Sequence, residues 1–244
     1  MSGAGRGIGR AIATRLSSAG FRVALTGRGI ADLDATAEAC EGPTLVVPGD
    51  ITEATFVDEC FASVERLWGP IEVLVANAGA GTSASVVRTT DEEWQRMLDL
   101  NLTAPFRCIR RALPSMLERR HGRIVVIASV AAKIGEPYVA AYTASKHGVL
   151  GLVRSTAAEV AQKGVTVNAV CPGYVDTPMT GATVADIVAR TGLTQTEARS
   201  LLDAKQPIGR LITPDEVADT VMMCVSSGAI TGQGVNVDGG AVQS

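Results

Sequence analysis

Apolar positions along the chain follow two alternating rhythms. Short runs rich in Val, Ile and Leu occupy residues 22–26, 44–47, 72–76, 123–128, 166–170 and 234–237. Several are apolar at nearly every position, the pattern of parallel strands covered on both faces. Between them, apolar residues recur three and four apart over 8–19, 30–40, 53–68, 92–119, 140–162 and 214–226, predicting helices with one buried stripe each. Pro105 and Pro114 are expected to bend or break the helix over 92–119. Strand and helix alternate throughout. The pattern predicts an α/β fold, a doubly wound parallel sheet of the Rossmann type in a single domain spanning residues 1–244.

Two stretches depart from the alternation. Residues 178–206 carry two short helical patterns, 184–190 and 195–204, inserted between a strand and the next helix. At the carboxyl edge of a parallel sheet such an insertion is where a substrate lid sits, and a surface helical hairpin has the same composition. The other departure is at the start. A doubly wound sheet opens with a strand leading into its glycine turn, yet here the turn begins at Gly3, so the first strand is missing from the N-terminus. Truncation is the expectation, because removing a strand between parallel neighbours leaves ladder groups unpaired.

Composition narrows the classes. The chain is 46% hydrophobic and 19% charged, and its formal net charge of −3 argues against nucleic acid or an anionic membrane as partner. No apolar run approaches the roughly 20 residues that span a bilayer, and no signal-peptide pattern opens the chain, so a cytoplasmic protein is expected. The cysteines (Cys40, Cys60, Cys108, Cys171 and Cys224) are odd in number and lack CxxC spacing. They predict small buried side chains, with neither a metal site nor a disulfide framework.

Candidate chemistry gathers where the strands end. Gly3-Ala4-Gly5-Arg6-Gly7-Ile8-Gly9 runs into a helix with Ile8, Ile12 and Leu16 on one face. Such glycines allow a tight turn, and the helix start offers free N–H groups to a pyrophosphate. The next strand ends at Thr26-Gly27-Arg28, with an arginine and no acid. A guanidinium suits a ribose 2′-phosphate, and Arg6 can add a second charge, which favours NADP(H) while leaving NAD(H) possible. Solvent-facing arginines are the plain alternative. Tyr142 and Lys146 lie four apart on one helix face. A phenol titrates near 10, and a cation about 4 Å away supplies about 4 kcal/mol at an effective dielectric of 20, enough to lower it by roughly 3 units. Ser129, Asn77-Ala78-Gly79 and Pro172-Gly173 each follow an apolar strand, and Asn101 interrupts a helical stretch. A serine-hydrolase reading fails, because His121 and His147 have no GxSxG partner.

With Asp50-Ile51, Thr177 and the terminal Val237-Asp238-Gly239-Gly240 in this order, the sequence resembles the short-chain dehydrogenase/reductase family over essentially its whole length. The resemblance implies that Tyr142 exchanges a proton with the substrate oxygen and that Ser129 holds that oxygen. It implies that Lys146 binds the nicotinamide ribose and depresses the tyrosine pKa, while Asn101 holds a proton-relaying water. The cofactor would be bound by Gly3, Arg6, Gly7, Ile8, Gly9, Arg28, Asp50, Ile51, Asn77, Ala78, Gly79, Pro172, Gly173, Val175 and Thr177, together with Tyr142 and Lys146. Gln206-Pro207-Ile208-Gly209-Arg210 resembles 3-oxoacyl reductases, including polyketide-type ketoreductases. That implies NADPH-dependent reduction of a 3-oxoacyl thioester on a carrier protein or CoA. The alternatives are an NAD-dependent dehydrogenase of 3-hydroxyacyl-CoA or another secondary alcohol and, more remotely, a non-catalytic dinucleotide sensor. Arg190, Arg199 and Lys205 either meet a phosphopantetheine phosphate or face solvent. A homotetramer built on 92–119, 140–162 and the C-terminal strand region is implied as well.

Overall fold

A computed structural model describes residues 1–243 of the chain. Every β-branched run forms a strand: β1 Val23–Gly27, β2 Thr44–Pro48, β3 Val73–Ala76, β4 Gly122–Ile127, β5 Val165–Pro172 and β6 Gly234–Val237. All pair in parallel, β1 with β2 and β3-β4-β5-β6 in order. Every residue of β5 is buried, as a central strand covered on both faces requires.

The helices are α1 Gly7–Ser18, α2 Ile30–Glu38, α3 Ala54–Trp68, α4 Asp91–Leu98, α5 Ala104–Glu118, α6 Ala140–Val160, α7 Pro178–Thr191, α8 Gln195–Asp203 and α9 Pro214–Ser226. One apolar layer joins α3, α5 and α6 to one face of the sheet. A second joins α1, α2 and α9 to the other.

Two helices differ most from the sequence pattern. The helix expected over 92–119 is interrupted by a π turn at Asp99–Thr103, not at a proline. Pro105 lies in the first turn of α5, where its missing N–H costs nothing, and Pro114 lies within that helix. The first helix of the insertion starts at Pro178 rather than at 184, because Thr177 caps it and proline suits its first turn. The α7–α8 pair has its own small core of Val184, Ala198, Leu202 and Leu211.

Between β1 and β3, Ser2 forms a bridge, pairing with Thr26 on one side and Ala76 on the other. Its N–H donates to the Val75 carbonyl at 3.1 Å, and Thr26 N–H donates to the Met1 carbonyl at 3.0 Å. Beside this bridge lies a cavity of about 270 Å³, lined by Phe21, Val23, Cys60, Phe61, Trp68 and Val73 among others. Ala4 N–H also donates to the Thr26 carbonyl at 3.2 Å, so residues 1–4 join β1 to β3.

Candidate active site

The glycine turn is shaped by what presses on it. Gly3 and Gly7 have φ of +65° and +53°, the left-handed region that favours glycine. A Cβ on Gly3 would fall 2.7 Å from the Asn77 amide nitrogen. Asn77 Nδ2 donates to the carbonyls of Ser2 and Gly3 at 3.1 and 2.9 Å, so the turn is sewn to the end of β3. Ser2 completes the seam, its Oγ accepting from the N–H groups of Asn77 and Ala78, both at 3.1 Å. A Cβ on Gly7 would lie 3.2 Å from the methyl of Thr177. The turn therefore meets the start of α7 directly.

The start of α1 carries no side-chain cap at Arg6 and no acid in its first turn. Its leading N–H groups keep their capacity for an anion. Arg28 is exposed and Arg6 is exposed as well. Asp50 accepts from the N–H and hydroxyl of Thr52 at 2.9 and 2.8 Å, bonds that with nearby Arg28 hold its carboxyl below the ordinary range. Ile51 packs in the core, Val175 is buried, and Thr177 caps α7. The strand that leads to Arg28 ends without an acid, yet α2 delivers one. A Cβ on Gly29 would lie 3.3 Å from Asp32 Oδ2, so this carboxyl stands beside the turn that bears Arg28.

Ser129 follows β4, and its hydroxyl lies beside the Tyr142 phenol, opposing the rise in pKa that burial causes there. Ser129 Oγ accepts from Ala131 N–H at 3.2 Å. Asn101, turned inward by the π segment and only 1% exposed, is fully engaged. Its amide donates to Ala80 O at 3.0 Å and Ser145 Oγ at 3.1 Å, and its oxygen accepts from Ala80 N–H at 3.1 Å. Ser145 donates in turn to the Tyr142 carbonyl at 2.7 Å. Asn101 thus ties the loop after β3 to the helix that bears Tyr142.

The charge relation expected between Tyr142 and Lys146 is corrected. Lys146 Nζ donates to the Ile127 carbonyl at 2.9 Å and lies 5.7 Å from the Tyr142 ring centre. Burial lowers Lys146 to about 8. Burial also raises the Tyr142 phenol, with Glu136, Tyr174 and Cys171 adding to the rise and the Ser129 hydroxyl opposing it. An i, i+4 lysine lowers a phenol when it is ionised in a medium of moderate dielectric; here desolvation dominates both groups.

The sequence marked Gln206 by resemblance but not the brace it forms at the end of the insertion. Buried Gln206 accepts from Tyr174 N–H at 3.0 Å and donates to the Tyr174 and Arg210 carbonyls at 3.1 and 2.7 Å. Gly173 is required because a side chain there would strike the Gln206 oxygen. Of the cations offered for a phosphate, Arg199 pairs with Asp176 at 2.7 Å and Lys205 bonds Tyr174 at 3.1 Å. Among the described residues, no helix is long and apolar enough to cross a membrane. Four cysteines are buried and Cys40 partly so.

A family model described as enoyl-(acyl carrier protein) reductase matches residues 3–242. The 3-oxoacyl-[acyl-carrier-protein] reductase MabA of Mycobacterium tuberculosis is 40% identical over 98% of this chain and 90% of its own length. The D-beta-hydroxybutyrate dehydrogenase of Rhizobium meliloti is 36% identical over 98% and 96%. The crystal structure of a single-residue variant of actinorhodin polyketide ketoreductase with NADPH superposes with a TM-score of 0.94, at 37% identity over 99% of this chain and 95% of that one. A glycine turn, a Ser-Tyr-Lys group at the sheet's carboxyl edge and these matches agree: the chain belongs to the short-chain dehydrogenase/reductase family.

Proposed function

We propose that this chain reduces a 3-oxoacyl thioester, carried on CoA or an acyl carrier protein, to the 3-hydroxyacyl product with NADPH. The observation that carries the reading is the Ser129 hydroxyl placed beside the Tyr142 phenol at the end of β4, with Lys146 buried one turn along the helix. Ser129 and Tyr142 offer two O–H groups to one carbonyl oxygen. A phenol held above its ordinary pKa by burial is protonated at neutral pH, the state that gives a proton to a forming alkoxide. When bound, the nicotinamide supplies the hydride to the carbonyl carbon.

The residues present fit that cofactor. Gly3, Gly7, Ile8 and Gly9 would take the pyrophosphate on uncapped N–H groups, and Arg6 and Arg28 a 2′-phosphate. Asp50 and Ile51 would flank the adenine. Asn77, Ala78 and Gly79, with Pro172, Gly173, Val175 and Thr177, would line the rest, and Lys146 would hold the nicotinamide ribose. Asn101 acts here as an anchor for the loop after β3. Support for the thioester comes from the MabA and actinorhodin ketoreductase matches.

Residues 178–206 serve as the substrate lid of a single catalytic domain. A cytoplasmic homotetramer packed through α4, α5 and α6 is part of the same reading, supported by exposed Trp94 and Phe106 on α4 and α5. A monomer by light scattering at micromolar concentration overturns that assembly.

One observation favours a second reading. The Asp32 carboxyl beside Gly29 suits a free ribose hydroxyl, and the Rhizobium relative is a hydroxybutyrate dehydrogenase, so NAD-dependent alcohol oxidation is the competitor. Steady-state assays of acetoacetyl-CoA and a carrier-linked analogue with both cofactors decide between them. Reduction with NADPH supports the first. Inactivity on both thioesters beside good oxidation of a secondary alcohol overturns it.

A further inference from the structure

Behind the glycine turn, two helices close on the same backbone carbonyls. Thr36, on α2 and fully buried, turns its hydroxyl proton toward the carbonyls of Asp32 at 2.9 Å and of Ala4 and Gly5, both at 3.1 Å. Arg10, in the first turn of α1, completes the clasp. Its Nε donates to Thr36 Oγ1 at 3.1 Å and its Nη2 to the Gly5 carbonyl at 2.9 Å. One turn before Thr36, Asp32 packs so closely that a Cβ on Gly5 would fall 2.8 Å from the Asp32 Cβ. A guanidinium fork and a hydroxyl therefore hold the turn from the rear.

Holding those carbonyls orients whole peptide planes. In a trans peptide the N–H points away from the C=O of the same plane. With the Ala4 and Gly5 carbonyls turned to Thr36 and Arg10, the N–H groups of Gly5 and Arg6 face the other way, on consecutive residues. Among the described residues neither N–H has a protein acceptor. Two successive N–H groups on one side form a small concavity for an anionic oxygen. Arg6 is exposed and Gly5 half-buried, so the concavity opens outward beside the uncapped start of α1. We propose that Arg10 and Thr36 are positioning residues for the cofactor, holding the Gly5 and Arg6 N–H groups ready for a phosphate oxygen of the dinucleotide. The inference rests on the nucleotide binding put forward above. Neither residue needs to touch the cofactor. Arginine suits its place as lysine would not, since one planar fork reaches both acceptors. Without the clasp the two peptide planes are free to rotate, and ordering them then opposes binding.

The test is titration of the full chain and its variants with NADPH and with NADH, followed by nicotinamide fluorescence. Thr36→Val removes the hydroxyl at nearly constant volume, and Arg10→Met removes the fork. Each raises Kd about tenfold and KM for the cofactor with it, while kcat at saturating cofactor holds. A rise for both nucleotides assigns the pyrophosphate to the concavity; a rise for NADPH alone assigns the 2′-phosphate. Thr36→Ser, which restores the hydroxyl, keeps the wild-type Kd. Arg10→Lys keeps the charge and loses the fork, so its Kd rises as well. A wild-type Kd in Arg10→Lys makes charge alone the cause and overturns the proposal. A merely structural brace lowers Tm in Thr36→Val and Arg10→Met with Kd unmoved, and that overturns it too. Arg10 is half-buried, so its variants carry the test if Thr36→Val does not fold. If the wild type binds neither nucleotide, the cofactor reading itself falls; if it binds and the variants bind equally well, only the clasp falls.

Discussion

The ammonium of Lys146 donates to the carbonyl of Ile127, the last residue of β4 and two positions before Ser129. One strand end thus presents both the hydroxyl beside Tyr142 and the carbonyl that holds the lysine. The lysine is buried, its bond goes to a neutral carbonyl, and burial brings it to about 8. Such a group costs stability for the sake of function.

Lys146→Met is therefore expected to stabilise the cofactor-free protein while abolishing turnover. In the unfolded chain the amine titrates at 10.5, and in the folded protein at about 8. Between those values the unfolded chain keeps a proton that the folded protein has lost, so stability rises with pH across that window. Below it the full penalty applies, about 3 kcal/mol at neutral pH. Losing the bond to Ile127 gives back about 1 kcal/mol. Thermal unfolding of the variant should show a Tm several degrees higher at pH 7 and a flatter rise from about 8 to 10.5. A lower Tm at pH 7 contradicts the burial penalty.

How much of this was legible in the sequence follows from range. The strands of the sheet and the Tyr142–Lys146 helix rest on local periodicity, which the chain displays openly. Ser129, Asn77 and Thr177 lie at or shortly after the ends of apolar runs, so their convergence at one edge follows from parallel topology. Gln206, Glu136 and Tyr174 do not announce themselves, because their partners lie 32 to 38 residues away along the chain. A signal for Gln206 existed: a glutamine followed by Pro207 and Ile208 that the fold buries. Asp32 was invisible for a different reason. The rule for an acid looks to the end of the strand, and this one arrives from the first turn of the following helix. The tyrosine pKa was misjudged because spacing gives distance but not dielectric.

Gly7 joins the turn to Thr177; its φ of +53° strains any side chain, and a Cβ 3.2 Å from the Thr177 methyl would have to push it aside by a few tenths of an ångström. Gly7→Ala should cost about 1 kcal/mol in the free protein from the left-handed backbone alone. Its larger effect is on the cofactor, since the methyl crowds the turn whose N–H groups would take the pyrophosphate. NADPH titration followed by nicotinamide fluorescence should show Kd raised at least about tenfold, the equivalent of about 1.4 kcal/mol. Unchanged affinity would place the cofactor elsewhere.

Cofactor choice depends on two opposed charges at the end of β1. Arg28 is exposed and near Asp50, while Asp32 reaches Gly29 from the first turn of α2. A charge-assisted bond from Arg28 to a 2′-phosphate is worth about 1.5–3 kcal/mol, so Arg28→Ala should lower the NADPH/NADH ratio of kcat/KM by roughly 10- to 100-fold. Asp32→Asn acts the other way, removing a carboxylate that repels the phosphate and raising the ratio severalfold, more at low ionic strength than at high. Arg6, at the N-cap of α1, should contribute less to the ratio and more to the affinity for both cofactors, because the pyrophosphate is common to them. The salt series distinguishes charge from shape: a ratio in Asp32→Asn that does not respond to ionic strength would assign the preference to packing around Gly29 instead. An Arg28→Ala ratio equal to that of the wild type would remove the 2′-phosphate from this turn altogether and leave NAD-dependent oxidation as the better account of the site.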